Sequence, residues 1–169
     1  MREIIALAVS KQLVKRSQFI KFFGSVDTNV YFIETGCVKM SILIDDTDQI
    51  IRFGYAGDLI VALDSYITGH TSELCIQALK KSEIRVIAKS AIKEFIMKDI
   101  SNMLYWQSLL ESLILQQMNR EIDLLISSPK ERFDRVLARS PRLFQEVASR
   151  YIANYLRMKP ETLSRLKKS

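Results

Sequence analysis

Residues 149–168 carry two short apolar periods separated by a break, and nothing else in the chain restricts the fold as closely. Ile152, Ala153 and Leu156 fall at i, i+1 and i+4, the inner face of one helix. Met158 lies in the break. Pro160 then stands in the first turn of a second helix, where proline is tolerated because those N–H groups lack intrahelical partners anyway. Leu163 and Leu166 repeat the apolar face, leaving Glu161, Thr162, Ser164, Arg165 and Lys168 on other sides. With the small Ala153 where the helices must cross closely, this spacing predicts a helix-turn-helix. Its second helix offers the short polar, basic surface that suits a DNA major groove. The same spacing also describes a helical hairpin that merely closes a core. Charge separates the two: residues 129–169 hold 11 Lys+Arg against 4 Asp+Glu, while residues 1–128 hold 14 against 15. Phosphate neutralisation calls for that excess, and core closure does not.

A length of 169 residues suffices for one sizeable domain or two small ones, and 48% hydrophobic with 26% charged content describes a folded globular chain. No apolar run approaches the ~18–20 residues of a membrane span, so no membrane partner is expected. The first nine residues are apolar but short, include Glu3 and lack a cleavage site, which predicts a packing helix rather than a signal peptide. Cys37 and Cys75 each sit inside an apolar strand pattern. Buried thiols in a reducing cytoplasm are expected.

Residues 1–10 look helical, with Ile4, Ile5 and Leu7 inward. From Leu13 the pattern becomes short β runs broken by turns: residues 19–23 before Gly24, 30–33 before Gly36, 38–44 before an acidic turn at 45–48, then 50–53, 74–79 and 84–87. Strands this short, at roughly ten-residue spacing, predict a small antiparallel barrel or roll. After Ala88 the period is helical throughout. Met103, Trp106, Leu110, Ile114, Met118, Ile122 and Leu125 recur every three or four residues, and Leu104, Leu109, Leu113 and Leu115 widen the stripe beyond one face. Two apolar faces imply a second covering surface, most simply the same helix of another subunit, against burial wholly within one chain. Gln116, Gln117 and Arg120 interrupt the stripe, as register-setting or solvated residues. Pro129 disfavours helix at Ser128 and marks a boundary. A basic amphipathic helix is expected over 130–139, around Phe133, Val136 and Leu137.

A β-roll, a long helix and a C-terminal helix-turn-helix, in that order, resemble the CRP/FNR family of bacterial transcription regulators. Tyr31-Phe-Ile-Glu-Thr-Gly-Cys-Val-Lys39 is similar to its strand–Gly turn–strand signature, Gly57-Asp-Leu-Ile60 to its turn before the ligand cassette, and Ile152-Ala with Pro160-Glu-Thr-Leu-Ser-Arg165 to its DNA-binding motif. The resemblance implies an α+β fold: a jelly-roll-like antiparallel β-roll sensor domain over 1–100, a dimerisation helix over 101–128 and a helix-turn-helix domain over 129–169. It implies that Glu161 and Arg165 read bases and that residues near Thr162 touch phosphate. Their chemistry agrees, since Arg forks onto guanine O6 and N7 and Glu accepts from cytosine N4. The expected DNA-binding set is Lys159, Glu161, Thr162, Ser164, Arg165, Lys167 and Lys168. Double-stranded DNA, a second copy of the chain and RNA polymerase are the implied partners, with a small-molecule effector left open.

The departures from the family are as informative. Laid without gaps from Gly57 and Asp58, the family's ribose-binding Glu falls on Ala62, its phosphate-binding Arg on Ser72 and the following Ser on Glu73. A cyclic phosphate needs a fixed cation or convergent N–H groups. A hydroxyl beside a carboxylate supplies neither, so cyclic AMP is not expected to bind in the usual way. Arg52 or Arg85 would have to relocate that cation, and both are expected on solvated strand faces. The cysteine cluster that holds iron–sulfur in other members is absent. Arg157 replaces the glycine usual in the helix-turn-helix turn, at ~1 kcal/mol of left-handed strain if that geometry is kept. Ser169 follows the recognition helix directly, without the hairpin wing of many members.

No enzyme chemistry is legible. One histidine, His70, beside Gly69 in a loop, cannot build a His-rich metal centre, and Asp45, Asp46 and Asp48 lack the glycine and glutamate of a calcium loop. Neither a cofactor nor a metal is expected. The alternative function is a cyclic-nucleotide-type regulatory module acting through protein partners, with its basic tail as a docking surface.

Overall fold

Asp45 and Asp46 both take positive φ, 49° and 56°, the pattern of a two-residue type I′ hairpin, which aspartate tolerates better than most residues. This turn joins β4 (Cys37–Ile44) to β5 (Thr47–Tyr55), which pair from Ile44 and Thr47 back to Cys37 and Tyr55. The acidic turn is thus shorter than the sequence suggested. Thr47 and Asp48 open β5, and the Asp48 carboxylate accepts a hydrogen bond from Lys39 Nζ. The computed structural model describes residues 1–168; Ser169, the end of the expected third segment, lies outside them. The chain divides into two compact units, Met1–Met103 and Leu104–Ser169.

The first unit runs α1 (Arg2–Ala6), β1 (Ser10–Val14), β2 (Phe19–Lys21), β3 (Val30–Thr35), β4, β5, β6 (Leu59–Ile60), α2 (Leu63–Thr68), β7 (Cys75–Ala78), β8 (Ser82–Ile87) and α3 (Lys89–Lys98). Its strands form two four-stranded antiparallel sheets, ordered β1-β8-β3-β6 and β2-β7-β4-β5. Both sheets feed one core, in which Tyr31, Ile33, Ile84 and Val86 of the first meet Val38, Met40, Ile76 and Ala78 of the second. Each fully buried aliphatic side chain there contributes about 1.5–3 kcal/mol. Gly36 makes the β3–β4 turn possible, with φ at 98° and an ideal Cβ position only 2.7 Å from the Ser82 Cα. A side chain there would meet backbone as well as left-handed strain.

The structure corrects the expected boundaries. The first helix ends at Ala6 and buries Ile4 alone; Ile5 and Leu7 stay half-exposed. Strand β1 was not expected, because Lys11 and Gln12 interrupt its pattern and only Val14 is buried, yet it pairs along β8 over five residues. Cys37 and Cys75 are buried thiols not joined to each other. Cys75 Sγ lies 3.1 Å from Ser41 Oγ, and burial pushes its thiol pKa up.

The helical region is not continuous. Asp99 breaks it in extended conformation, and its carboxylate accepts from Asn102 N at 3.0 Å and Ser101 Oγ at 2.6 Å, capping α4 (Ile100–Leu125). Those bonds hold the Asp99 carboxyl below its usual range. The second unit takes α4 from Leu104 onward, with α5 (Pro129–Arg139), α6 (Pro141–Glu146), α7 (Ser149–Tyr155) and α8 (Pro160–Leu166). Ser128 caps α5 through Glu131 N, and Pro129 takes its first position. Phe133 and Val136 are buried as expected, but Leu137 is exposed and Arg132 is buried. Helix α6 was not expected; Pro141 starts it and Leu143 anchors it. No described helix is long and apolar enough to cross a membrane.

Candidate nucleic-acid interface

Helices α7 and α8 meet over Ile152, Ala153, Leu156 and Leu163, each at most 1% exposed. Between them the chain makes a Schellman turn. Met158 N donates to Ala153 O at 3.0 Å and Arg157 N to Asn154 O at 3.0 Å, satisfying carbonyls at the end of α7. The residue at the left-handed position is Arg157, with φ at 52°. The sequence-based strain is therefore present, at ~1 kcal/mol. Lys159 enters in extended conformation and Pro160 opens α8.

With Leu163 buried, the remaining sides of α8 face outward. Lys159, Glu161, Ser164, Arg165, Lys167 and Lys168 are exposed, and Thr162 is half-exposed. Glu161 and Arg165, four residues apart, share a helix face with Ser164 beside them. Lys167 differs from the others, since its Nζ donates to Ser149 Oγ at 2.9 Å and lies 5.9 Å from the Phe144 ring centroid. Many cations of the C-terminal quarter serve the fold instead. Arg132 is buried, Arg135 and Arg139 pair with Asp123, Lys130 with Asp134 and Arg142 with Glu146. The exposed cations near the turn are Arg150, Arg157, Lys159, Arg165 and Lys168.

Sequence reasoning missed how this surface is held. Asp123 of α4 is wholly buried and accepts from Arg135 Nε at 2.9 Å and Arg139 Nη1 at 3.0 Å, with Arg139 Nη2 on its other oxygen. The hydrogen bond to Asp123 raises the Arg139 pKa. Arg120, expected as register-setting or solvated, is only 5% exposed. Its guanidinium lies 3.7 Å from the Tyr155 ring centroid and donates to Tyr155 O at 2.5 Å. Burial lowers its pKa. The spacing of Arg120 and Asp123 at i, i+3 on the side opposite Met118 and Ile122 was the available signal.

The other side of α4 is apolar and open. Ile114 is 59% exposed, Met118 52% and Leu125 83%; Met103 and Ile122 are exposed too, while Trp106 and Leu110 are half-buried.

In the first unit, Gly57 takes φ at 97°, donates to Ile33 O at 2.8 Å, and is followed by Asp58, whose carboxylate accepts from Tyr55 N at 2.9 Å. The short α2 follows buried Ala62 and ends at left-handed Gly69, with His70 exposed beyond it. Ser72 is buried and its Oγ accepts from Leu74 N at 3.0 Å; Glu73 is exposed. Lys21 was not singled out from sequence. It is 3% exposed, and its ammonium donates to Leu74 O at 2.7 Å, Phe22 O at 2.8 Å and Ser72 O at 3.4 Å. Burial lowers its pKa. The cation beside Ser72 is thus committed to the protein's own carbonyls. Arg85 donates to Glu34, which also meets Lys11 Nζ at 2.7 Å. Arg52, half-buried on β5, pairs across from Met40.

A two-sheet roll with a Gly-Asp turn and a short helix between β6 and β7, in one chain with a long helix and a helix-turn-helix, defines a class in which a cyclic-nucleotide-type fold accompanies a helix-turn-helix. The family description "cyclic nucleotide-binding domain" matches residues 11–99, and the chain belongs to that family. No curated protein sequence matches it. Among solved structures, FixK2 from Bradyrhizobium japonicum aligns with TM-score 0.78 and 19% identity, over 94% of this chain and 82% of that one. A CooA variant from Carboxydothermus hydrogenoformans gives TM-score 0.78 and 13% identity, over 98% and 77%. A protein from Eubacterium rectale described within the crp/fnr family of transcriptional regulators gives 0.71 and 17%, over 99% and 80%. At these identities the likeness establishes the fold, which is the α+β architecture expected from the sequence.

Proposed function

We propose that this protein is a homodimeric, sequence-specific DNA-binding transcription regulator of the CRP/FNR type, acting in the cytoplasm. The observation that carries the reading is the outward face of α8, where Glu161, Ser164 and Arg165 are exposed on a helix anchored by buried Leu163. In this reading residues 1–100 form the sensor, 101–128 pair the subunits and 129–169 read DNA. Arg165 presents a fork of donors to a guanine edge and Glu161 accepts from cytosine. Lys159 and Lys168, flexible point charges at the two ends of α8, suit phosphate. Lys167 must leave Ser149 to do the same. Two α8 helices related by the dimer axis would lie about one DNA turn, roughly 34 Å, apart.

Arg165→Ala is expected to cost ~1–3 kcal/mol on the preferred site and much less on unrelated DNA, relaxing preference at one base pair per half-site. Lys168→Ala is expected to weaken all DNA alike and to lower the salt dependence by about one ion per contact. Titration of both variants against specific and random duplexes checks this; equal losses on both duplexes for both variants would favour the docking-module reading.

Cyclic AMP is not expected to bind in the family's usual way. Ala62 offers no ribose acceptor, Ser72 no cation, and Lys21 is already held by three carbonyls. A ligand binding only the native state stabilises it by about 2.7 kcal/mol at a hundredfold excess over its dissociation constant. Thermal melts with submillimolar cyclic AMP are therefore expected to show no shift, and a clear shift would overturn this part of the proposal.

A further inference from the structure

Arg120 is an expensive way to pack one helix on another. It is 5% exposed, its Nε and Nη1 are buried without a hydrogen-bond partner, and only Nη2 is used, on Tyr155 O. An apolar side chain such as methionine would pack there without desolvating a cation. What the guanidinium adds is direction. Its guanidinium, 3.7 Å from the Tyr155 ring centroid, sets the separation of α4 and α7, and its bond to the last carbonyl of α7 sets their axial register.

Tyr155 is the residue through which this grip reaches the reading helix. Arg139, bonded to Asp123 of α4, also engages the Tyr155 side chain. Two residues on, Arg157 in its left-handed conformation offers its carbonyl to buried Arg132 Nη2 at 3.3 Å. Helix α8 begins three residues later at Pro160. On α4, at about 100° per residue, Arg120 stands roughly 160° around from both Met118 and Ile122. The apolar face left open and the grip on α7 are therefore set back to back on the same two turns.

We propose that Arg120 is a positioning residue that fixes the spacing between the two DNA-reading helices of the dimer, and so makes the protein selective for half-site separation. This rests on the dimeric DNA-binding reading above. If α4 lies on the dimer axis, the distance from that axis to each α8 passes through Arg120, and loosening the grip lets each α8 adjust without altering its base-reading side chains.

The test uses the full chain, as wild type and R120M, on palindromes whose half-sites are at the preferred separation or one base pair closer or farther, and on a single half-site. One base pair moves a half-site by about 3.4 Å and turns it by about 35°. Wild type is expected to lose about thirtyfold for that change, and R120M about threefold, with single-half-site affinity within about twofold of wild type. An R120M protein that keeps the wild-type spacing ratio would overturn the proposal. So would a loss on all duplexes in proportion to a reduced folded fraction, which is what a merely structural arginine gives. If R120M does not fold, R120K keeps the cation and its reach to the carbonyl but gives up the planar guanidinium over the Tyr155 ring, and it carries the same two outcomes. Failure of the underlying reading is separate, because then wild type itself prefers no sequence or spacing.

Discussion

Asp123→Ala is expected to lower the melting temperature of the helical unit by on the order of 15 °C. The wild-type carboxylate is wholly buried and holds two guanidiniums, while Arg135 also donates to Asn119 Oδ1 at 3.0 Å. Removing one partner of a buried ion pair costs ~3–5 kcal/mol where the other charge stays buried. Here the Arg135 and Arg139 side chains are 38% and 29% exposed and can turn toward water, which reduces the cost to ~2–4 kcal/mol. For a unit of 60–100 residues each kcal/mol is worth about 4–8 °C. Asp123→Asn, which keeps the volume and one acceptor, should lose about half as much. Circular dichroism at 222 nm follows the helices of this unit directly. A shift of only a few degrees for the alanine variant would show that Asp123 does not tie α4 to α5.

Ile114→Glu combined with Met118→Glu is expected to convert dimer to monomer, raising the dissociation constant by at least ~10³. Both wild-type side chains are more than half exposed in their own chain, so the change should leave the monomer's stability within about 0.5 kcal/mol. In a paired α4 seam it would place four carboxylates in an apolar contact, where like charges cost several kcal/mol. Sedimentation at micromolar concentration reads the outcome, together with loss of binding to a palindrome. A double variant as dimeric as wild type would place the subunit contact elsewhere.

How much of this was legible in the sequence depended on whether a signal was local. The helix-turn-helix was, because proline at a first turn and leucines three apart act through nearest neighbours, and even the left-handed strain at Arg157 followed from the missing glycine. The long helix was legible in period but not in role by face. Leu110 and Ile114 look alike in sequence, yet Leu110 is half-buried and Ile114 exposed, since what covers a residue is set by elements far along the chain. Strand β1 escaped because an edge strand can be held by backbone pairing with β8 and needs few apolar residues. Buried charges escaped for a related reason. Nothing local marks Lys21, Asp123 or Arg132 as buried, and Arg120 reads equally as register-setting or solvated; their partners are long-range, among them Leu74 for Lys21 and Tyr155 for Arg120. Much of the C-terminal positive excess is tied to Asp123, Asp134 and Glu146, which leaves a smaller exposed group near α8 for the proposed phosphate contacts.

The central claim is that α8 reads sequence rather than merely carrying charge. The most direct measurement is a titration of the wild-type protein, at physiological salt, against a palindrome enriched by selection and against a scrambled duplex of equal length. The palindrome is expected to be bound at least ~10³-fold more tightly. Equal affinities for the two duplexes, with the same salt dependence, would contradict it.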